Sequence, residues 1–243
     1  MQPAQYPVNP TAYPVPVAPA AKSLRVPATL VHLGLVINII AALTDLALVG
    51  LFEGALVRVD NDTATDTDRT LLLAGAATSL VVILVLVYTA VVFMVWLYRA
   101  RKNLVTWGIQ GLGWGPGWAI GGWFIPLANL VIPKLVVDTV WSGSRLPPTE
   151  RVTRRSSNTL IWSWWLCLLV GNFTTNIAAR EQFTRDDTAA EIVGYNTPST
   201  VLMLIAAFLA IVLVRRITRM QEQRQAALDQ PWQQMVFPAA PPS

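Results

Sequence analysis

One histidine, His32, and one cysteine, Cys167, are all that this chain of 243 residues offers of either type. A Cys–His or Ser–His nucleophile would have to use these lone residues, and they cannot supply the ligand spacings of a metal site. No metal and no cofactor is therefore expected. Ionisable and amide side chains inside apolar stretches carry more information. Asp45 lies in one such stretch with Asn38 two turns earlier on the same helical face, and Asn172 and Asn176 stand at i,i+4 in another. An aspartate near the centre of a membrane-spanning helix costs about 2.5–3.5 kcal/mol to insert, so it should face protein or water and have a partner. Asn38, Asp45, Asn172 and Asn176 form a candidate intramembrane polar cluster. Two readings stay open for it: interhelical hydrogen bonding, at about 0.6 kcal/mol per bond, or a path for an ion or solute.

A second set of residues, at 99–141, has the types that contact a phosphate or a headgroup. Arg99 and Asn103 are four apart, share a helical face, and can point at one partner, with Arg99 able to hold a lipid phosphate bidentately. The plainer reading is that Arg99 snorkels or caps carbonyls and Asn103 ends the helix. Asn129, between Pro126 and Pro133, has a primary amide suited to free backbone groups of a broken helix. Pro133 suits the first position of a helix over 133–142, in which Lys134 and Asp138 form an i,i+4 pair and Asp138 shares a face with Trp141. The ligand or lipid-contact candidates are Arg99, Asn103, Trp118, Trp123, Asn129, Asp138 and Trp141. The glycines at 108–122 lack a following Gly-Lys-Ser/Thr, so the run is not a phosphate loop. Interleaved tryptophans and missing charge also exclude nucleic acid, which demands phosphate-neutralising Lys or Arg.

The elements that must position these residues are membrane spans. The chain is 53% hydrophobic and 13% charged with a mean hydropathy of +0.47, far from the roughly 25% charged of a soluble domain. Four stretches, 27–52, 71–98, 159–179 and about 193–214, are long enough for a bilayer core that takes about 20 helical residues. With a cytoplasmic N-terminus, inside segments hold 14 of the 18 Lys and Arg residues, a strong positive-inside bias. A fifth span at 113–133 would collapse that bias by putting the basic clusters at 99–102 and 145–155 on opposite sides. Seven of the 14 glycines lie between Gly108 and Gly122, with Pro116, Pro126 and Pro133 breaking any helix. Such backbone survives at membrane depth only where protein or a wet cavity satisfies it. Residues 104–133 are thus expected to form a re-entrant or interfacial element with both ends cytoplasmic. Nine of the ten tryptophans fall at 96–165, where indoles favour the headgroup level.

The fold class expected is an all-α integral membrane protein with four transmembrane helices and a Gly/Pro/Trp-rich element between the second and third. Residues 1–26 read as a Pro-rich disordered cytoplasmic tail, a tether or a docking site for a protein partner. The first apolar run is too long for a signal peptide. Residues 215–243 read as a basic helical extension that Pro231 stops, able to touch anionic inner-leaflet headgroups.

WLYRARKN at 96–103 and GWAIGGWFIPLANLVIPKLVVDTVW at 117–141 resemble the family of actinobacterial membrane proteins catalogued as domain of unknown function 4328. Trp96, Arg99, Ala100, Asn103, Gly117, Trp118, Trp123, Phe124, Ile125, Pro126, Asn129, Leu130, Pro133, Asp138 and Trp141 carry the resemblance. Val131 and Ile132 depart from it, where an aromatic or basic residue is common, and so does Asp138, where Glu is. The resemblance implies a multi-pass protein of a bacterial cell membrane with no established activity, and the Lys and Arg distribution puts both termini on the cytoplasmic side. The functional expectation is a non-enzymatic scaffold or regulatory protein anchored at the inner leaflet among membrane lipids. The alternative is a small transporter, channel or lipid-binding protein that uses the broken element and the Asp45 cluster.

Overall fold

The computed structural model describes residues 20–145, 158–184 and 189–236. Most of the Pro-rich tail, the basic linker 146–157 and the extreme C-terminus lie outside them. Helices α1 (Arg25–Asp60), α2 (Asp66–Thr106), α6 (Thr159–Thr184) and α7 (Ala189–Val236) are long; α3 (Trp118–Gly121) and α4 (Pro126–Asn129) are single turns, and α5 (Ile132–Arg145) has 14 residues. No strand forms among the described residues.

Three helices, α1, α2 and α7, are long and apolar enough to cross a membrane, a length and composition that suggest a membrane protein with several spans. Helix α6 has the length, at 26 residues, but Trp162, Trp164, Trp165, Asn172 and Asn176 dilute its hydropathy. The helices outrun the expected spans. Helix α2, with 41 residues, rises about 62 Å at 1.5 Å per residue, twice the roughly 30 Å hydrocarbon core. Its ends therefore project into water or headgroups. Between α1 and α2, Thr65 caps α2 in a reciprocal box with Asp68, and Arg58 forms an ion pair with the same carboxylate. The Arg58 guanidinium and the Thr65 N–H and hydroxyl together hold the Asp68 carboxyl well below the usual carboxylate range.

Helix α7 begins at Ala189, a little before the expected span, and continues through Pro198; contrary to expectation it does not stop at Pro231 but runs to Val236. A proline removes one helical hydrogen bond, and beyond Pro198 the helix packs along α6, where Gly171 lies against Leu202 and Met203. Asn103 does not end α2 either. The helix continues to Thr106, because the Asn103 amide has partners elsewhere and does not compete for the helix backbone.

Packing is uneven along the bundle. Helix α1 touches α2 and α7, and α6 touches α7 and α5. At one end, the C-terminal half of α2, the broken segment Gly108–Val131, α5, the start of α6 and residues 213–225 of α7 enclose a shared core. Helix α5 is buried at every position from Ile132 to Ser144 except Leu135. Gly143 lets it approach α2 closely: a Cβ there would lie 2.6 Å from Leu104 Cδ1. Away from this end, α2 and α6 expose Leu80, Ile83, Leu84, Val87, Val170, Phe173 and Ile177, as lipid-facing surfaces do.

Candidate functional site

The enclosed end contains a buried polar hub. On α2, Asn103 is 3% exposed. Its Oδ1 accepts from the Lys22 N–H at 2.9 Å, and its Nδ2 donates to the Lys22 carbonyl and to Gln221 Oε1, each at 2.9 Å. Only one orientation of the amide meets both Lys22 groups, which fixes the assignment of oxygen and nitrogen. Gln221 Nε2 donates to Ala100 O and Ser144 Oγ, both at 3.0 Å, and the Ser144 hydroxyl donates to Val140 O. The segment before α1, α2, α5 and α7 thus share one chain of hydrogen bonds.

Around the hub, α7 clamps residues 21–25. Glu222 Oε1 accepts from the Leu24 N–H and the Ser23 hydroxyl, both at 2.8 Å, and Oε2 from Arg25 Nε at 3.0 Å. Gln225 Oε1 accepts from the Ala21 N–H and from Trp107 Nε1, each at 3.1 Å. Trp96 Nε1 donates to Thr218 Oγ1. Arg224 lies over the Trp107 ring and donates to Gly143 O.

Two further buried cations flank this network. Arg101, 3% exposed, donates through Nη2 to the carbonyls of Leu112 and Trp114 in the broken segment. Lys134 Nζ lies 2.6 Å from Asp138 Oδ2 and 3.6 Å from the centre of the Trp162 ring, so the expected i,i+4 pair forms, inside the protein. Five rings, Phe93, Trp96, Trp123, Trp164 and Trp165, contact one another at centroid separations of 5.4 to 6.1 Å. They join α2 to α6 through the broken segment.

This ring cluster corrects the expected role of the tryptophans. Trp96, Trp164 and Trp165 are buried in protein within it, where edge and tilted ring contacts add to their large apolar burial, and Trp107 and Trp141 are buried in protein under Arg224 and Arg145. Of the contact candidates, Asn103 and Asp138 lie in the core, Trp123 joins the ring cluster, Trp118 packs edge-on against Trp114, and Arg145 lies over Trp141. Arg99 is half-buried and does not converge with Asn103, whose amide points to Lys22 and Gln221. Asn129 is half-buried at the end of α4.

The polar residues of the spans are not brought together. Asn38 donates to Gly34 O and Thr89 Oγ1, while Asn172 and Asn176 each donate to a carbonyl of their own helix four residues back. Asp45 is exposed on α1, and among the described residues α1 and α6 do not touch.

Gln221, Ser144, Arg101 and the clamp by Glu222 and Gln225 were not legible as site residues. For Gln221 a signal exists: Val214, Ile217, Thr218 and Gln221 are all buried at helical spacing on one face of α7, so a glutamine occupies the continuation of an apolar stripe. Amides and a hydroxyl whose bonds are spent on protein partners hold elements together and fix where the chain segments leave the bundle.

A family model described as Domain of unknown function (DUF4328) matches residues 57–219, more than half of the chain, and the chain belongs to that family. No curated protein and no solved structure matches it. The matched region includes Arg101, Asn103 and Ser144 but ends before Gln221 and excludes the clamped segment 21–25.

Proposed function

We propose that this member of the domain of unknown function 4328 family is a non-enzymatic membrane scaffold that crosses a bacterial cell membrane four times and presents both terminal segments side by side in the cytoplasm. The observation that carries the reading is the clamp of Ala21–Arg25 by Glu222 and Gln225. Lys22, Asn103, Ser144 and Gln221 share one hydrogen-bonded end of the bundle, which is what an even number of crossings between each successive pair produces. Helices α1 and α2 supply two crossings and α6 and α7 two, while Gly108–Val131 returns to the side it left as a re-entrant or interfacial element. The distribution of Lys and Arg favours the same arrangement.

In this reading the hub sets the spacing and direction in which the Pro-rich tail and the end of α7 leave the membrane, and protein partners bind there. Anionic headgroups of the inner leaflet surround exposed Arg215, Arg216 and Arg219. Solute passage is the weaker alternative, because Asn38, Asp45, Asn172 and Asn176 are dispersed over separate surfaces.

The test is labelling of single cysteines in a Cys167→Ser background. Cysteines at Thr65 and Asp187 should react from outside intact cells, and those at Ser156 and Gln223 should not. Outside labelling at Ser156 defeats the four-span arrangement. Release of the tail by Glu222→Ala, without loss of the folded protein, should change partner capture by the full chain if the clamp sets tail geometry.

A further inference from the structure

Ala21-Lys22-Ser23-Leu24-Arg25 is the segment that α7 clamps, and Ser23 carries its one hydroxyl. Leu24 is fully buried in the core, whereas Lys22, Ser23 and Arg25 are exposed. Ser23 precedes the first residue of α1 by two positions, and its backbone is not helical. Its Oγ accepts from the Arg25 N–H at 3.3 Å and donates its proton to Glu222 Oε1 at 2.8 Å. The Glu222 carboxylate thus takes donors from three successive residues: the Ser23 hydroxyl, the Leu24 N–H and Arg25 Nε.

Charge explains why a carboxylate stands there. Helix α1 opens with a cation, Arg25, and has no acid in its first turn, so nothing of its own offsets the positive end of its dipole. The balancing charge comes from Glu222, 199 residues after Ser23. A phosphate ester on Ser23 Oγ would change this arrangement in two ways. It removes the proton that Glu222 accepts, and it adds about −1.5 to −2 charges at pH 7 beside the carboxylate. The phosphoryl oxygens and the carboxylate then repel each other and compete for Arg25 and the N–H groups of the first turn. A phosphate attached within that turn, with more charge than a carboxylate and three acceptor oxygens, is favoured over an acid reaching across from α7. Asn103 on Lys22 and Gln225 on Ala21 would be left to hold the segment.

We propose that Ser23 is a phosphorylation site for an ATP-dependent serine kinase, and that its phosphate expels Glu222 and opens the clamp. In the transfer, Ser23 Oγ attacks the γ-phosphorus of ATP. The new O–P bond forms as the bond from that phosphorus to the bridging oxygen breaks, ADP leaves with the electron pair, and the hydroxyl proton passes to a base of the kinase. Lys22 and Arg25 flank the hydroxyl with positive charge that an acidic kinase cleft recognises. The proposal deepens the scaffold reading and rests on its cytoplasmic placement of the segment, where ATP is available. Phosphorylation is then the signal that changes how the Pro-rich tail leaves the bundle.

The experiment uses the full chain, labelled with ¹⁵N-alanine, in phosphatidylcholine nanodiscs. Phosphoserine is installed at position 23 during synthesis, and hydrogen exchange of the Ala21 amide reads the clamp, with the buried Ala55 and Ala100 as references. Exchange at Ala21 should rise about tenfold or more in the phosphoserine protein, since a hydrogen bond to a charged group is lost and a repulsion gained. Glu222→Arg alone should also speed it, by facing Arg25 with a like charge. Phosphoserine together with Glu222→Arg should return it to within about threefold of the parent, because a guanidinium takes a phosphate bidentately. Slow exchange in the phosphoserine protein overturns the proposal, and so do effects of phosphoserine and Glu222→Arg that merely add. In a second arm, the unmodified chain and Ser23→Ala are incubated with γ-³²P-labelled ATP and a soluble extract of the source cell. Label should enter the parent and be lost in Ser23→Ala; no label, or equal label in both, overturns the proposal. An opened clamp and a labelled Ser23, with partner capture unchanged by Glu222→Ala, would keep the switch and remove the scaffold reading. A clamp that phosphoserine leaves closed, with capture altered by Glu222→Ala, would remove the switch alone.

Discussion

Removing Asp138 alone from its pair with Lys134 should destabilise the protein more than removing both side chains. The two side chains are 10% and 2% exposed, with Nζ and Oδ2 2.6 Å apart. At an effective dielectric constant of about 20, unit charges about 3 Å apart attract by roughly 5 kcal/mol. Desolvation of the two ions takes back several kcal/mol each, so the intact pair is close to neutral for stability. A lone buried charge keeps its desolvation cost and loses the attraction, a net penalty of about 3–5 kcal/mol. After Asp138→Asn the ammonium retains the Trp162 ring, and that contact is worth about 0.5–2 kcal/mol. The expected cost is therefore about 2–4 kcal/mol for Asp138→Asn, and it is smaller for Lys134→Met, because Asp138 has a further partner. The double replacement Lys134→Met with Asp138→Leu should lie within about 2 kcal/mol of the parent. Reversible unfolding of all four proteins in mixed micelles, followed by tryptophan fluorescence, measures this cycle. Additive costs, with the double variant the least stable of the four, would refute the view that α5 is buried on its polar face.

Other perturbations test other parts of the molecule. Replacing Gly115, Pro116, Gly117, Gly121, Gly122 and Pro126 with Ala and Leu should create an apolar helix of spanning length and move a cysteine at Ser156 to the outside; unchanged inside location with normal abundance would show that Gly and Pro do not decide the path of this segment. Asp45 is exposed on α1, so Asp45→Leu should ease membrane insertion by about 2–3 kcal/mol, read as equal or higher abundance; a fall in abundance would reveal a partner for the carboxylate. The folded Asp68 carboxyl is held well below its unfolded value of about 3.9. Its contribution is complete above that value and is lost as pH falls toward the folded one. The parent should lose stability below about pH 5 more steeply than Asp68→Asn, and equal acid slopes in the two proteins would count against the Arg58–Asp68 pair.

The long apolar helices were legible because apolar length alone decides them, and the Lys134–Asp138 pair because i,i+4 spacing does. Helix ends were less so. Asn103 resembles a terminator until Lys22 and Gln221, far away in sequence, satisfy its amide and let α2 continue. Pro231 misleads for a related reason: one missing hydrogen bond ends a helix only where little else holds it. The tryptophans read as an interfacial belt because indole composition is the same in a belt and in a core. Their ring contacts require the juxtaposition of α2, the broken segment and α6, which no local pattern encodes. Arg101 counts as one more basic residue until the Leu112 and Trp114 carbonyls close on it.

The hub also orders the events of biosynthesis. Its hydrogen bonds join Ala21 to Gln225, 204 residues apart, and Asn103 to Gln221, 118 apart. The α1–α2 hairpin leaves the ribosome long before those glutamines exist, so Asn103 must wait in an incomplete environment while α6 is made. Only when α7 emerges can the end close over both amides. Contacts of such sequence separation form late, after the loop-closure entropy has been met. A chain stalled before residue 221 would therefore hold its membrane helices with an open polar end, a state that quality-control proteases can recognise without reading any terminal signal.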